Sequence, residues 1–156
     1  MLSICQTIDM MQQETVGPVE NAVGYVLKEA QTALRNALDA VLRPLRLTVP
    51  QYSCLELLGQ RPGLSNAELA RGTFVTRQSM NVVLQGLEAR GLVTRPATAP
   101  KGRELPAELT EDGREHLRAA STAVRGIERK MLTGLTGAQQ RDLLDTLATC
   151  VRNLQV

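Results

Sequence analysis

Hydroxyl side chains at the heads of apolar runs divide this chain into helices, and that division limits the fold more than any other feature. Thr48 and Gln51 form a T-x-x-Q capping box, with Pro50 in the first turn, where its missing N–H is no loss. Ser65 and Glu68 form a second box, flanked by Leu64 and Leu69 at the spacing of a hydrophobic staple. Thr76 heads a helix whose apolar positions Met80, Val83, Leu84 and Leu87 share one face, and Gly91 suits the left-handed residue that closes it. Thr110 heads a long helix to about Thr133, with the stripe Leu117, Ala120, Val124, Ile127 and Met131. Thr136 and Gln139 form a third box before Leu143, Leu144, Leu147, Val151 and Leu154.

The longest periodic stretch precedes all of these. From Val19 to Leu42, apolar residues recur at three- and four-residue steps, and Pro44 disfavours helix at Arg43. Such a helix would be roughly 35 Å long at about 1.5 Å per residue. A domain this small cannot cover it, so part of the stripe is expected to face another chain. Residues 1–18 read as a loose N-terminal arm or short extra helix.

Helical periodicity breaks once, between Gly91 and Thr110. Leu92-Val93-Thr94-Arg95 is β-compatible, and Pro96, Pro100 and Gly102 mark a loop. Leu105, Ala107 and Leu109 then alternate with Glu104, Pro106 and Glu108. Pro106 cannot donate to a ladder and is expected on an outward edge. The unit reads as a hairpin with a long basic tip carrying Arg95, Lys101 and Arg103.

Two short helices, 66–72 and 77–90, joined at Thr73–Thr76 and followed directly by that hairpin, make a candidate winged helix-turn-helix. Opposite its apolar stripe the second helix offers Arg77, Gln78, Asn81, Val82 and Gln85, with Ser79 at the side and Thr76 at its start. Arg, Gln and Asn are the side chains that pair bidentately with guanine and adenine edges in the major groove. The whole chain carries a net charge of only +2. Residues 64–104 alone hold six bases against three acids, a net +3, so positive charge concentrates where DNA would touch.

The remaining composition narrows the classes of function. With 43% hydrophobic residues the chain can bury a core, and with Tyr25, Tyr52 and Phe74 as its aromatics that core must be Leu, Val and Ala. Cys5, Cys54 and Cys150 are odd in number and far apart, and His116 is the single histidine, so neither a disulfide framework nor a metal site is expected. There is no apolar run of membrane-spanning length, and the first residues lack the pattern of a signal peptide; a cytoplasmic protein is expected. No nucleophile–base pair, phosphate loop or cofactor motif suggests an enzyme.

Several segments together resemble the MarR (multiple antibiotic resistance regulator) family over about residues 19–155. Leu42-Arg-Pro-Leu-Arg-Leu-Thr48 with Gln51-Tyr52 is similar to its link between the first two helices. Leu64-Ser-Asn-Ala-Glu-Leu-Ala70 is similar to the first helix of its DNA-binding motif, and Phe74-Val-Thr-Arg-Gln-Ser-Met-Asn81 to its recognition helix. Leu87-Glu-Ala-Arg-Gly-Leu-Val93 resembles the approach to its wing, and Arg103 with Leu109-Thr110-Glu-Asp-Gly113 resembles the wing's end and the next helix. Lys101 stands where the family usually has an acidic residue that helps fix the wing arginine. The resemblance implies a homodimer built by residues 19–46 and 110–156, around a DNA-binding lobe at 47–109. It further implies a pseudo-palindromic duplex operator, usually repression, and often a small anionic or phenolic effector. Tyr52 and His116 are the candidate effector-lining residues.

Two other readings stay open. A winged helix can serve as a protein-interaction module without DNA, although such modules expose apolar anchors where this helix exposes Arg, Gln and Asn. Some family members sense oxidants through a thiol. Here Cys54 and Cys150 fall on apolar helix positions, where a small buried hydrophobe is commoner, and Cys5 has no basic neighbour to activate it.

Overall fold

Each hydroxyl cap marked in the sequence is made in the computed structural model, which describes residues 17–98 and 105–155. Thr48 accepts from the Gln51 N–H at 3.3 Å and Gln51 Oε1 accepts from the Thr48 N–H at 3.0 Å, opening helix α2 (Val49–Gln60). The same reciprocal pair, Ser65 with Glu68, opens α3 (Asn66–Gly72). Thr76 caps α4 (Arg77–Ala89) through the Ser79 N–H at 3.0 Å, and Thr110 caps α5 (Glu111–Met131) through the Gly113 N–H at 3.0 Å. Thr136 and Gln139 open α6 (Gly137–Leu154). A cap of this kind is worth typically about 1 kcal/mol, enough to fix a boundary.

The long first helix departs from expectation at its start. Val19–Asn21 is a 3-10 turn led by Pro18; Ala22 is extended, and α1 (Val23–Leu42) begins after it. Ala22 offers no side-chain acceptor for the first free N–H groups, so nothing in the residue type announces this boundary. Helix α1 ends at Leu42 as Pro44 requires, and the chain passes into a second 3-10 turn, Arg43–Leu45, with Pro44 in its first turn.

Residues up to Ala37 form one compact unit and those from Leu38 onward another. In the first, the apolar side chains Val23, Tyr25, Val26 and Leu27 are exposed. In the second, a core of Leu42, Leu55, Leu58, Leu69, Met80, Leu84, Leu87 and Leu92 is almost wholly sealed. Tyr52 is the one aromatic packed against that core, at its margin. Helix α6 has no buried residue, and Leu144, Val151 and Leu154 on it are exposed.

The wing is shorter in its ladder than the alternation suggested. Strands β1 (Val93–Thr94) and β2 (Glu108–Leu109) pair antiparallel, Val93 with Leu109 and Thr94 with Glu108. Ala107 forms an isolated antiparallel bridge with Leu64, joining the wing to the segment before α3. Pro106 precedes that bridge and lies outside the ladder, which it could not join as a donor. The helix-to-wing corner is a Schellman closure: Gly91, at φ +70°, donates to the Glu88 carbonyl and Leu92 to that of Leu87.

That corner is clasped from the other side by α5. The Thr110 hydroxyl donates to the Gly91 carbonyl at 2.6 Å, and the Thr110 N–H to that of Leu92 at 3.1 Å. Gly113 then lies so close to the Leu92 backbone carbonyl that a Cβ would overlap its oxygen. Backbone cannot swing aside as a side-chain tip can. Gly113→Ala should therefore destabilise the fold by about 1–3 kcal/mol or more, read as a lower thermal midpoint. An unchanged midpoint would show that the corner yields freely.

Candidate nucleic-acid interface

Helix α4 is fixed in rotation by its apolar side. Met80, Leu84 and Leu87 are fully buried, and Val83 packs beside them. At 3.6 residues per turn, sealing these positions turns the opposite face outward. Arg77, Gln78, Ser79, Asn81, Val82 and Gln85 are all exposed on α4, and Thr76 is exposed at its head. The Thr76 hydroxyl is occupied by the cap and by a 2.9 Å hydrogen bond to Ser79 Oγ, so both residues hold the helix start. The side chains of Arg77, Gln78, Asn81 and Gln85 make no hydrogen bond or ion pair among the described residues and are free to engage a base edge or phosphate.

Polar tethers hold α4 at both ends. At its start, Asn66 Nδ2 donates to the Arg77 carbonyl at 3.1 Å. At its end, Arg90 Nη1 donates to the Arg46 carbonyl at 2.6 Å and Nη2 to that of Leu45 at 3.5 Å, binding α4 to the turn before α2. Glu88 and Arg95 form a two-pronged ion pair, Nε to Oε1 at 3.0 Å and Nη2 to Oε2 at 2.6 Å. The side chains are only 14% and 29% exposed for Arg95 and Glu88 respectively. Arg95 was expected at the basic tip; it lies instead at the root of the wing, locking the wing to α4. Lys101 and Arg103, the other wing bases, lie outside the described residues, as does the N-terminal segment with Cys5.

The turn into α4 holds a feature that sequence reasoning passed over. Phe74 is 93% exposed and sits at φ +58°. The left-handed region costs an L residue roughly 1–2 kcal/mol, and burying a phenyl ring would gain about 1.5–3 kcal/mol. Phe74 forgoes the second while paying the first. Gly72, two residues earlier, adopts no positive φ; it makes room for Leu57 Cδ1, 2.6 Å from where a Cβ would stand.

The candidate effector residues are placed separately. The Tyr52 hydroxyl donates to Glu56 Oε2 at 3.1 Å, and the Ser121 hydroxyl to the same oxygen at 2.8 Å. Burial alone would raise the Glu56 carboxyl, but donors on Gln60, Ser121 and Tyr52 outweigh it and hold it below its usual range. His116 Nδ1 lies 3.0 Å from the Asp112 carbonyl, within its own helix. Two shallow clefts, of about 280 and 440 Å³, run between α2 and α5 and share Gly59, Leu117 and Arg118; neither Tyr52 nor His116 lines them. Cys54 is buried and Cys150 partly so, both as free thiols. Burial pushes the Cys54 thiol up to about 12, against a small opposing pull from Arg95.

Two capped short helices, a polar outward face on the second, and a hairpin locked to that helix define a winged helix-turn-helix of the DNA-reading type. The sequence model of the MarR family matches residues 47–104, which span α2 to the wing. The chain is 48% identical over 120 residues to the HTH-type transcriptional repressor Rv2887 of Mycobacterium tuberculosis, covering 77% of this chain and 86% of that one. The chain belongs to the MarR family. A structure of Rv2887 in complex with DNA matches 82% of this chain and 96% of its own, with a TM-score of 0.69 at 43% identity. A second, in complex with salicylic acid, matches 82% and 95%, with a TM-score of 0.67 at 45% identity.

Two measurements follow from this geometry. In a double-mutant cycle, Glu88→Ala and Arg95→Ala should show a coupling of about 1–2 kcal/mol, since a charged hydrogen-bonded pair this sheltered exceeds a surface ion pair. Additive losses would remove the wing lock. Cys54 should resist alkylation at pH 8 in the folded protein and react once unfolded. Above the thiol's ordinary value of 9.0 the unfolded chain ionises while the folded thiol, at about 12, stays neutral, so the stability this group contributes is lost as pH rises across that window. Rapid labelling of native Cys54 would contradict its burial.

Proposed function

We propose that this protein is a homodimeric transcriptional repressor that binds a pseudo-palindromic site in duplex DNA and is released by a small-molecule effector. One observation carries the reading: the sealed stripe of Met80, Leu84 and Leu87 presents Arg77, Gln78, Asn81, Val82 and Gln85 outward on a helix whose start is open to the solvent. Arg77 and the carboxamides serve as base-reading groups, and Val82 can meet a thymine methyl. Thr76 and Ser79 hold the helix start against the phosphates. Arg95 positions the wing, and Lys101 and Arg103 supply phosphate contacts from its tip.

Dimerisation uses residues 19–46 and 110–156, and residues 47–109 form the DNA-binding lobe. The uncovered apolar side chains of α1 and α6 support this, since exposed stripes of that length on a monomer are interaction surfaces. A small anionic or phenolic effector is supported by the salicylic acid complex of Rv2887, with Tyr52 and His116 as candidate contacts. The protein acts in the cytoplasm and carries out no catalytic step; none of its described helices is long and apolar enough to cross a membrane.

Selection of bound duplex from a random pool tests the reading. The recovered site should be an inverted repeat whose half-sites are about 10–10.5 base pairs apart, centre to centre, the spacing of two recognition helices on one face of DNA. Sedimentation should give a dimer at micromolar protein. Recovery of no preferred sequence, or a folded monomer at that concentration, would overturn the proposal.

A further inference from the structure

Phe74 is left unexplained by the reading of α4. Among the described residues it is the most exposed large hydrophobic side chain, at 93%, and its backbone is held where glycine or asparagine would sit without strain. The turn itself does not need the ring. The Phe74 N–H bonds the Arg71 carbonyl at 3.4 Å and the Val75 N–H that of Ala70 at 3.1 Å, both backbone contacts that any residue could supply. Val75 supplies the turn's inward anchor, packing against the core, while Phe74 points to solvent.

Its place limits what it can touch. Phe74 stands two residues before the cap Thr76, so its Cα is at most about 7.6 Å from that of the first residue of the reading helix's head. Arg71 and Arg77 bracket it, and no carboxylate occurs between Glu68 and Glu88 in the chain. A polyanion suits this surface, and within the major groove the one apolar group is the thymine 5-methyl.

We propose that Phe74 is a specificity-determining residue, its ring packing on a thymine methyl at the edge of each half-site. The inference rests on the reading of α4 as the base-reading helix. It adds a contact made from the turn before that helix, at a position whose conformation would otherwise favour glycine.

The test uses the full-length protein and its selected duplex, with thymines replaced one symmetric pair at a time by uracil, which removes only the methyl. For the native protein, one such pair should weaken binding about fourfold per half-site, the worth of one buried methyl. Phe74→Gly should fold with an equal or higher thermal midpoint, because it relieves the left-handed strain. It should bind the intact duplex about sixteenfold more weakly or worse, the two methyl contacts together, and ignore that uracil pair. Phe74→Tyr keeps the ring and should keep both the affinity and the uracil response. Native affinity in Phe74→Gly would overturn the inference, as would a loss of affinity with an unchanged uracil response. A change confined to oligomeric state would move Phe74 to a protein interface and equally overturn it. If the native protein selects no duplex at all, the reading of α4 falls first and this inference with it; selection by the native protein with no role for Phe74 sinks the inference alone.

Discussion

The burial of Met80, Leu84 and Leu87 is the constraint on which the rest of this molecule depends. A helix packed by three fully sealed side chains over two turns cannot rotate without exposing one of them, at a cost of about 1.5–3 kcal/mol for each. The direction of every polar side chain on α4 is therefore set by the core and not by the polar residues themselves. Asn81 and Gln85, one helical turn apart, share a line along the outward face for the same reason that Leu84 and Leu87 share the inward one. The interface is the complement of the core.

The tethers at the ends of α4 convert that fixed helix into a fixed surface. Arg90 binds it to the turn at Leu45 and Arg46, and Glu88 binds it to the wing through Arg95. The Gly91 corner, clasped by Thr110 and pressed by Gly113, ties the wing's first strand to the start of α5. Helix α4, the wing and α5 thus meet at the corner 91–92 through backbone contacts without flexible linkers.

Helix boundaries were legible because capping is local chemistry: a hydroxyl and a carboxamide or carboxylate three residues apart are enough to define a start, as Thr48, Ser65 and Thr136 illustrate. The family resemblance rested on the same segments. What escaped sequence reasoning needs distance in space. The Leu64–Ala107 bridge is a single pair with no periodicity to betray it. Arg95 reads as a free tip cation until the Schellman closure folds it back onto Glu88, seven residues earlier. Phe74 occupies a backbone conformation that residue type would assign to glycine, so pattern rules point away from it. Ala22 ends a turn and starts a helix with no capping side chain to mark the place.

The most direct measurement of the central claim, that the core turns one defined face of α4 toward the bases, is the binding of Asn81→Ala to a complete set of single base-pair variants of the selected site. On the proposed reading, the Asn81 carboxamide on the outward face would read one base pair in each half-site. The account predicts that discrimination collapses at one symmetric pair of positions, with a loss of about 1–3 kcal/mol on the preferred base there, and persists elsewhere. Equal weakening at every position, or no change at any, would contradict it.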